Sequence, residues 1–311
     1  MSNRLVFGLV LLCACSDNAA KGTDDAGQGP APDLASQIFD AGDIDAGKTP
    51  RPGACATAIV PVADTQTARP KGSTCAALGY HEYVPAGYAS QSNWPLILSF
   101  HGDGERGDGG ATQLALLLNG GLPQQIKNNK WDPQKRFVVL SPQMDDRSGL
   151  LERTDASVKA FVTFAIANYD IDIHRIYMTG YSGGAEPIYN YLGPESGGVV
   201  AASLPISGWY STQNQECKWK QVPIWYFHGA NDGTVPAPAH STKSYDNLIA
   251  CSPSPTVAPR YTLYKDRAHD DWNLTYDLTG MNATKYPLVA APPGTTPYDQ
   301  SIYDWFLQYT H

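Results

Sequence analysis

The stretch Arg175-Ile-Tyr-Met-Thr-Gly-Tyr-Ser-Gly-Gly184 decides how this chain is read. It opens as an apolar run of strand character and closes on the pattern G-x-S-x-G, just ahead of a helix-compatible segment. A chain that turns from a strand directly into a helix brings the two elements into close approach, and glycines on either side of the apex leave room for it. A serine at that apex, here Ser182, holds its hydroxyl above the sheet, and the amide of the following residue points at the same spot. Glycine–serine turns are common, so the rest of the chain must supply the context.

Outward from this point, apolar strand-like runs alternate with helix-like segments. Pro95–Phe100, Phe137–Leu140, Arg175–Met178, Ala202–Ile206, Pro223–Phe227 and Tyr261–Tyr264 read as buried strands. Val158, Phe161, Val162, Ala165, Ile166 and Tyr169 follow helical spacing, with Thr154 or Asp155 as N-cap. Thr296-Pro297 is expected to start a last helix bearing Ile302, Trp305, Phe306 and Tyr309 on one side. Such alternation predicts an α/β fold with a mostly parallel central sheet flanked by helices on both faces. Sites in these sheets gather at the carboxyl edge of the strands.

A reactive serine needs a base, and the base needs an orienting carboxylate. His269 follows the run Arg260–Lys265 in a short polar loop, which puts it at a strand's carboxyl end. His228 sits in a His-Gly pair that suits a structural hydrogen bond, His240 suits a helix surface, and His311 is terminal. Asp232 lies in the loop after Pro223–Phe227, although Asn-Asp-Gly is also a good turn sequence. Asp270 and Asp271 are too close to His269 along the chain to reach the far side of its ring. For a developing oxyanion, the amide of Gly183 is one expected donor. The amide of Asp103, in the glycine-dense loop His101-Gly-Asp-Gly-Glu-Arg-Gly107, is the other. No Lys-Ser/Thr follows that loop, which argues against a phosphate cradle.

With these segments in order, residues 80 to 310 resemble the esterase branch of the α/β hydrolases, which includes predicted peptidases, feruloyl and acetyl-xylan esterases and polyhydroxybutyrate depolymerases. The resemblance rests on PLILSFHGDGERG, LLNGG, FVVLSPQ, YDIDIHRIYMTGYSGG, PISG, PIWYFHGANDGTVP and AHDDW. It implies an α/β-hydrolase fold in which Ser182 is the nucleophile, Asp232 the acid and His269 the base of an ester-cleaving reaction through an acyl-enzyme. No metal or organic cofactor is implied. Two positions depart from the family: Gly183 stands where relatives usually carry Met or Gln, and Glu186-Pro187 follows the serine closely. Trp209, Trp225 and Trp272 adjoin expected strand ends. Trp209 and Trp272 are read as substrate-binding aromatic walls, and a packing role suits each of them as well. A serine peptidase of the same fold and a non-catalytic surface-binding lipoprotein are the alternative readings.

The bulk numbers fit this picture. The 311 residues are 42% hydrophobic and 17% charged with a net charge of −8, an ordinary globular composition whose acidity argues against a nucleic-acid partner. The expected partner is a small-molecule or polymeric ester, and no protein partner is evident. Arg4 and the short apolar run Leu5–Leu12 read as an export signal over residues 1–14. Leu12-Cys13-Ala14-Cys15 resembles a bacterial lipoprotein box, which implies lipidation at Cys15 and, with Ser16 next, sorting to an outer membrane. A plain secretory signal is the alternative, and on either reading the protein leaves the cytoplasm. No other membrane contact is expected.

Residues 15–53, rich in Ala, Gly, Asp and Pro, should form a disordered acidic tether ahead of a catalytic domain over 54–311. Cys55, Cys75, Cys217 and Cys251 remain after the signal, an even set for an oxidising compartment. Cys55–Cys75 and Cys217–Cys251 are the preferred pairs among three connectivities, and the spacing matches no zinc site.

Overall fold

The computed structural model describes residues 53–145, 155–195, 198–209, 215–290 and 295–311. The export signal, Cys15 and nearly all of the expected tether lie outside these residues, as does the N-cap position Thr154.

Among the described residues one eight-stranded sheet runs in the order β1-β2-β4-β3-β5-β6-β7-β8. The strands are β1 Thr65–Arg69, β2 Tyr80–Val84, β3 Trp94–Phe100, β4 Val138–Pro142, β5 Ile171–Tyr181, β6 Val200–Ile206, β7 Trp225–Gly229 and β8 Arg260–Tyr264. From β4 to β8 neighbouring strands are parallel, and β1 and β2 join at one edge in antiparallel register. The six strands expected from apolar runs are all present. β1 and β2 were not anticipated, because Thr65–Arg69 is polar and Tyr80–Val84 carries His81 and Glu82. Glu82 is buried nonetheless, with Arg69 and the Tyr169 hydroxyl satisfying its carboxylate.

Six α-helices are described: α1 Gly121–Lys127, α2 Asp155–Asn168, α3 Ala185–Glu195, α4 Ser241–Ile249, α5 Trp272–Tyr276 and α6 Ile302–Phe306. The alternation of side chains along the strands sorts them between two layers. Leu96, Leu98 and Phe100 of β3 face one core with Phe161 of α2, Ile188 of α3 and Leu248 of α4. Ile97 of β3, Tyr177 of β5 and Phe227 of β7 face the other with Leu122 of α1, Leu274 of α5 and Trp305 of α6. Both faces of the sheet are covered, which is why its inner strands read as unbroken apolar runs.

The last helix starts later than expected. Ser301 is its N-cap, accepting from the Tyr303 amide at 3.2 Å, while Pro297 lies outside the helix. There the Pro297 carbonyl accepts from Arg260 at 3.1 Å, so tertiary contact holds this segment out of the helix.

Two disulfides close the described chain, Cys55–Cys75 and Cys217–Cys251, spanning 20 and 34 residues. The second joins the 3-10 turn Glu216–Lys218 to the chain just after α4. Replacing Cys217 and Cys251 by Ser should lower the unfolding free energy by about 3–4 kcal/mol on the loop-entropy estimate, measured by urea denaturation under non-reducing conditions. A loss well under 1 kcal/mol would mean that this crosslink does not constrain the unfolded chain.

Candidate active site

At the carboxyl end of β5 the chain turns through a single 3-10 turn, Ser182–Gly184, into α3. Ser182 adopts φ of 54°, a left-handed conformation in which a side chain is strained. The surroundings hold it there. A Cβ on Gly180 would lie 2.2 Å from the Gly184 carbonyl oxygen. A Cβ on Gly184 would lie 2.4 Å from the carbonyl oxygen of Phe100 and 2.6 Å from that of His101. The turn is therefore packed directly against the end of β3, and no larger residue fits either position without moving backbone. Pro187 falls in the first turn of α3, where a missing amide costs nothing.

Three side chains expected to meet at the sheet edge do so. His269 Nε2 is 2.8 Å from Ser182 Oγ, and His269 Nδ1 is 2.6 Å from Asp232 Oδ2. A carboxylate only accepts, so Nδ1 carries the hydrogen and Nε2 is left to accept from the serine hydroxyl. The imidazole is partly exposed, while the Asp232 carboxyl is fully enclosed.

Burial alone would raise the pKa of Asp232. Hydrogen bonds from His228, from the Val235 amide and from His269 outweigh it and hold the carboxyl well below the usual range. The Val235 and Thr234 amides donate to Oδ1 at 2.8 and 2.9 Å, leaving Oδ2 for the imidazole.

His228 takes the structural role expected for it, with a consequence that the sequence did not reveal. It is fully buried, its Nε2 lies 2.7 Å from the Val235 carbonyl and 3.2 Å from Asp232 Oδ2, and its Nδ1 lies 2.7 Å from Ser241 Oγ. A carbonyl only accepts, so Nε2 carries a hydrogen that it shares between Val235 and Asp232. His240 caps the start of α4, and its ring packs 4.7 Å from that of Trp209.

The loop after β3 approaches the turn from the other side. Met144 donates to His101 Nε2 at 2.8 Å, so the proton sits on Nδ1 and is donated to the Gly102 carbonyl at 2.6 Å. Gln143 donates to the carbonyls of Glu105 and Gln113 at 2.9 and 2.8 Å, and it accepts from Gly109 at 3.1 Å. These bonds fix the backbone on either side of Asp103, which opens a 3-10 turn over Asp103–Glu105 and pairs its exposed carboxylate with Arg106. Gly121, at φ of 60°, belongs to the same cluster: a Cβ there would sit 2.4 Å from the Tyr181 ring, next to the serine.

The three tryptophans separate. Trp225 is fully buried in the core, donates to Thr262 Oγ1 at 2.9 Å and lies under the Arg260 guanidinium, which excludes it from the site. Trp272 stacks on Tyr181 at 4.6 Å and turns its edge to His269 at 5.2 Å. Trp209 is 44% exposed, and its amide donates to the Ser182 carbonyl at 3.0 Å.

Asp271, set aside in the sequence because it cannot reach the His269 ring, has a different place. Its carboxyl is fully buried and accepts from Ser207 Oγ at 2.6 Å. Only the run Asp270-Asp271-Trp272 could have hinted at it: Trp272 turns half inward, and the residue before it is carried into the core.

No family model matches the chain. A bifunctional acetylxylan esterase/xylanase of Neocallimastix patriciarum is 25% identical over 203 residues, which amount to 62% of this chain and 27% of that protein. The crystal structure of a thermostable esterase superposes with a TM-score of 0.55 at 21% identity, over 79% of this chain and 63% of that one. The chain thus matches only part of each protein's length. Together with the sheet order and the helices on both faces, the structural likeness makes the fold that of the α/β hydrolases. Among the described residues no group of His, Cys, Asp or Glu has a metal-binding arrangement.

Burial, helped by the negative charge of Asp232 and opposed by His228 and the Ser207 hydrogen bond, lifts the Asp271 carboxyl to about 6. The folded state then binds more protons than the unfolded chain between about pH 4 and 6, so this group's ionisation erodes stability as pH rises through that window. Asp271→Asn should therefore raise the unfolding free energy above pH 6 by an increment on the order of 2–3 kcal/mol that fades below about pH 4, seen as a higher melting temperature. A pH-independent difference in melting between the two proteins would refute this.

Proposed function

We propose that this protein is an exported serine esterase that cleaves carboxylic esters through an acyl-enzyme. The observation that carries the reading is the continuous hydrogen-bonded line from Ser182 Oγ through His269 to an ionised, buried Asp232. His269 Nε2 takes the hydroxyl proton as Oγ attacks the ester carbonyl carbon. The amides of Gly183 and Asp103 stabilise the oxyanion, each worth about 3 kcal/mol of barrier. The tetrahedral intermediate collapses, the imidazolium returns its proton to the departing alcohol, and an ester to Ser182 remains. Water then adds with the same base and releases the acid.

The acetylxylan esterase relative and the aromatic rings beside the serine support an ester carried on a sugar or phenolic framework. The exposed Trp209 and the half-buried Trp272 are the proposed walls of that site, and Gly183 leaves a further wall open. Two disulfides support maturation in an oxidising compartment.

The test is labelling by a fluorophosphonate probe, followed by a panel of acetyl-xylan, feruloyl, hydroxybutyrate-oligomer, short p-nitrophenyl and fluorogenic peptide substrates. Ser182→Ala should lose labelling and reduce ester turnover by a factor on the order of 10⁴ to 10⁶ while keeping its melting temperature. An unlabelled wild-type protein, or peptide turnover above ester turnover, would overturn the assignment. We further propose a lipid anchor at Cys15. Inhibiting lipoprotein signal peptidase in the producing cell should leave a larger precursor, and an unchanged mature mass would exclude the anchor.

A further inference from the structure

Three loops meet at the sheet edge, and hydrogen bonds close them into a ring. The turn after β5 carries Ser182, whose carbonyl accepts from the Trp209 amide at 3.0 Å in the loop after β6. Two residues earlier in that loop, Ser207 donates to Asp271 at 2.6 Å in the loop after β8. Two residues before Asp271, His269 returns to Ser182 Oγ at 2.8 Å. We infer that the Ser207–Asp271 hydrogen bond is a positioning brace that sets the distance between the nucleophile and its base.

Several observations make the brace more than ordinary packing. Ser207 holds φ of 42°, a second left-handed non-glycine residue beside that of Ser182, and its amide donates to Phe227 at 2.8 Å. Backbone strain of this kind persists only where several contacts over-determine it. Asp271 is wholly buried, and its Oδ2 has no hydrogen-bond partner among the described residues, an arrangement unfavourable for stability. Its side chain does not cap α5, because the Thr275 amide bonds the Asp271 carbonyl instead. A buried carboxylate with one good hydrogen bond, made to the loop that contacts the nucleophile's backbone, is costly to the fold and useful to the site. Without it, the triad bond from His269 and the stacking of Trp272 on Tyr181 are left to join the His269 loop to the Ser182 turn, and misplacements of about 1 Å are enough to cost up to ~100-fold in rate.

The brace also carries charge. His228 and Asp232 on the β7 side, Tyr261 and Tyr264 of β8, and Tyr276 of α5 all feel the Asp271 carboxylate, and Ser207 faces it from the β6 loop.

This inference rests on the serine-esterase reading, and the experiment separates the two. The full-length protein and its Ser207→Ala, Asp271→Ala, double and Asp271→Asn variants are compared for fluorophosphonate labelling rate, kcat and KM on p-nitrophenyl acetate, and melting temperature. Failure of the wild type to label would sink the esterase reading itself. Given labelling, Ser207→Ala and Asp271→Ala should each slow labelling and kcat by about 10- to 100-fold with little change in KM. The double variant should be no slower than the worse single one, because both remove the same bond. Asp271→Asn, which keeps an acceptor oxygen, should recover most of kcat with KM unchanged. Wild-type kcat in a folded Ser207→Ala variant, additive losses in the double variant, or an Asp271→Asn variant no faster than Asp271→Ala would each overturn the brace.

Discussion

Everything at the site follows from the contact between the end of β3 and the turn after β5. Gly180 and Gly184 allow the carbonyls of Phe100 and His101 to lie where a side chain would otherwise stand. That contact forces the turn to be tight and leaves Ser182 at a left-handed φ. It also brings the Gly183 amide and the loop opening at Asp103 to the same edge, so the groups proposed to hold an oxyanion are consequences of one close approach. The hydrogen bonds of His101 and Gln143 serve the same end from the other side, since a glycine-rich loop left unpinned would spend its conformational freedom elsewhere.

Much of this was legible because the residues involved are constrained locally. Gly180-Tyr-Ser-Gly-Gly184 declares its turn, and the apolar runs from Pro95 to Tyr264 declare strands buried on both faces. Asp232 and His269 could be placed by their positions just after such runs, and the geometry brings both to Ser182. What could not be read depends on partners far along the chain. β2 carries His81 and Glu82 on buried positions, and it forms a strand only because Arg69 and Tyr169 satisfy the carboxylate. Pro297 has a good helix-starting sequence and stays outside the helix, its carbonyl accepting from Arg260 of the edge strand β8. Trp225 stands at a strand start, where a sequence cannot say which face its ring takes, and it turns to the core.

Asp271 is the instructive miss. Its neighbour Asp270 is exposed and pairs with Arg267, which is what a polar loop leads one to expect of both. One residue on, the chain enters α5 with Thr275 bonding back to the Asp271 carbonyl, and the buried carboxyl accepts from Ser207. A solvated residue and a wholly buried one thus stand side by side, distinguished by backbone direction alone.

Two buried carboxyls, Asp232 and Asp271, then raise the question of where the negative charge resides. Asp232 and Asp271 are both buried, and the charge of Asp232 disfavours ionisation of Asp271. The protein resolves the conflict with unequal numbers of donors. Asp232 receives two backbone amides, His269 and a share of His228, whereas Asp271 receives one hydroxyl. The first is held ionised well below the usual carboxylate range and the second is lifted toward 6. Environments that drive two like groups apart in this way assign them different tasks. In the proposed reaction, the ionised Asp232 whose Oδ2 faces Nδ1 of His269 stabilises the imidazolium formed as Ser182 attacks. The weaker acid lies one loop away, where its hydrogen bond rather than its charge is the greater contribution to geometry.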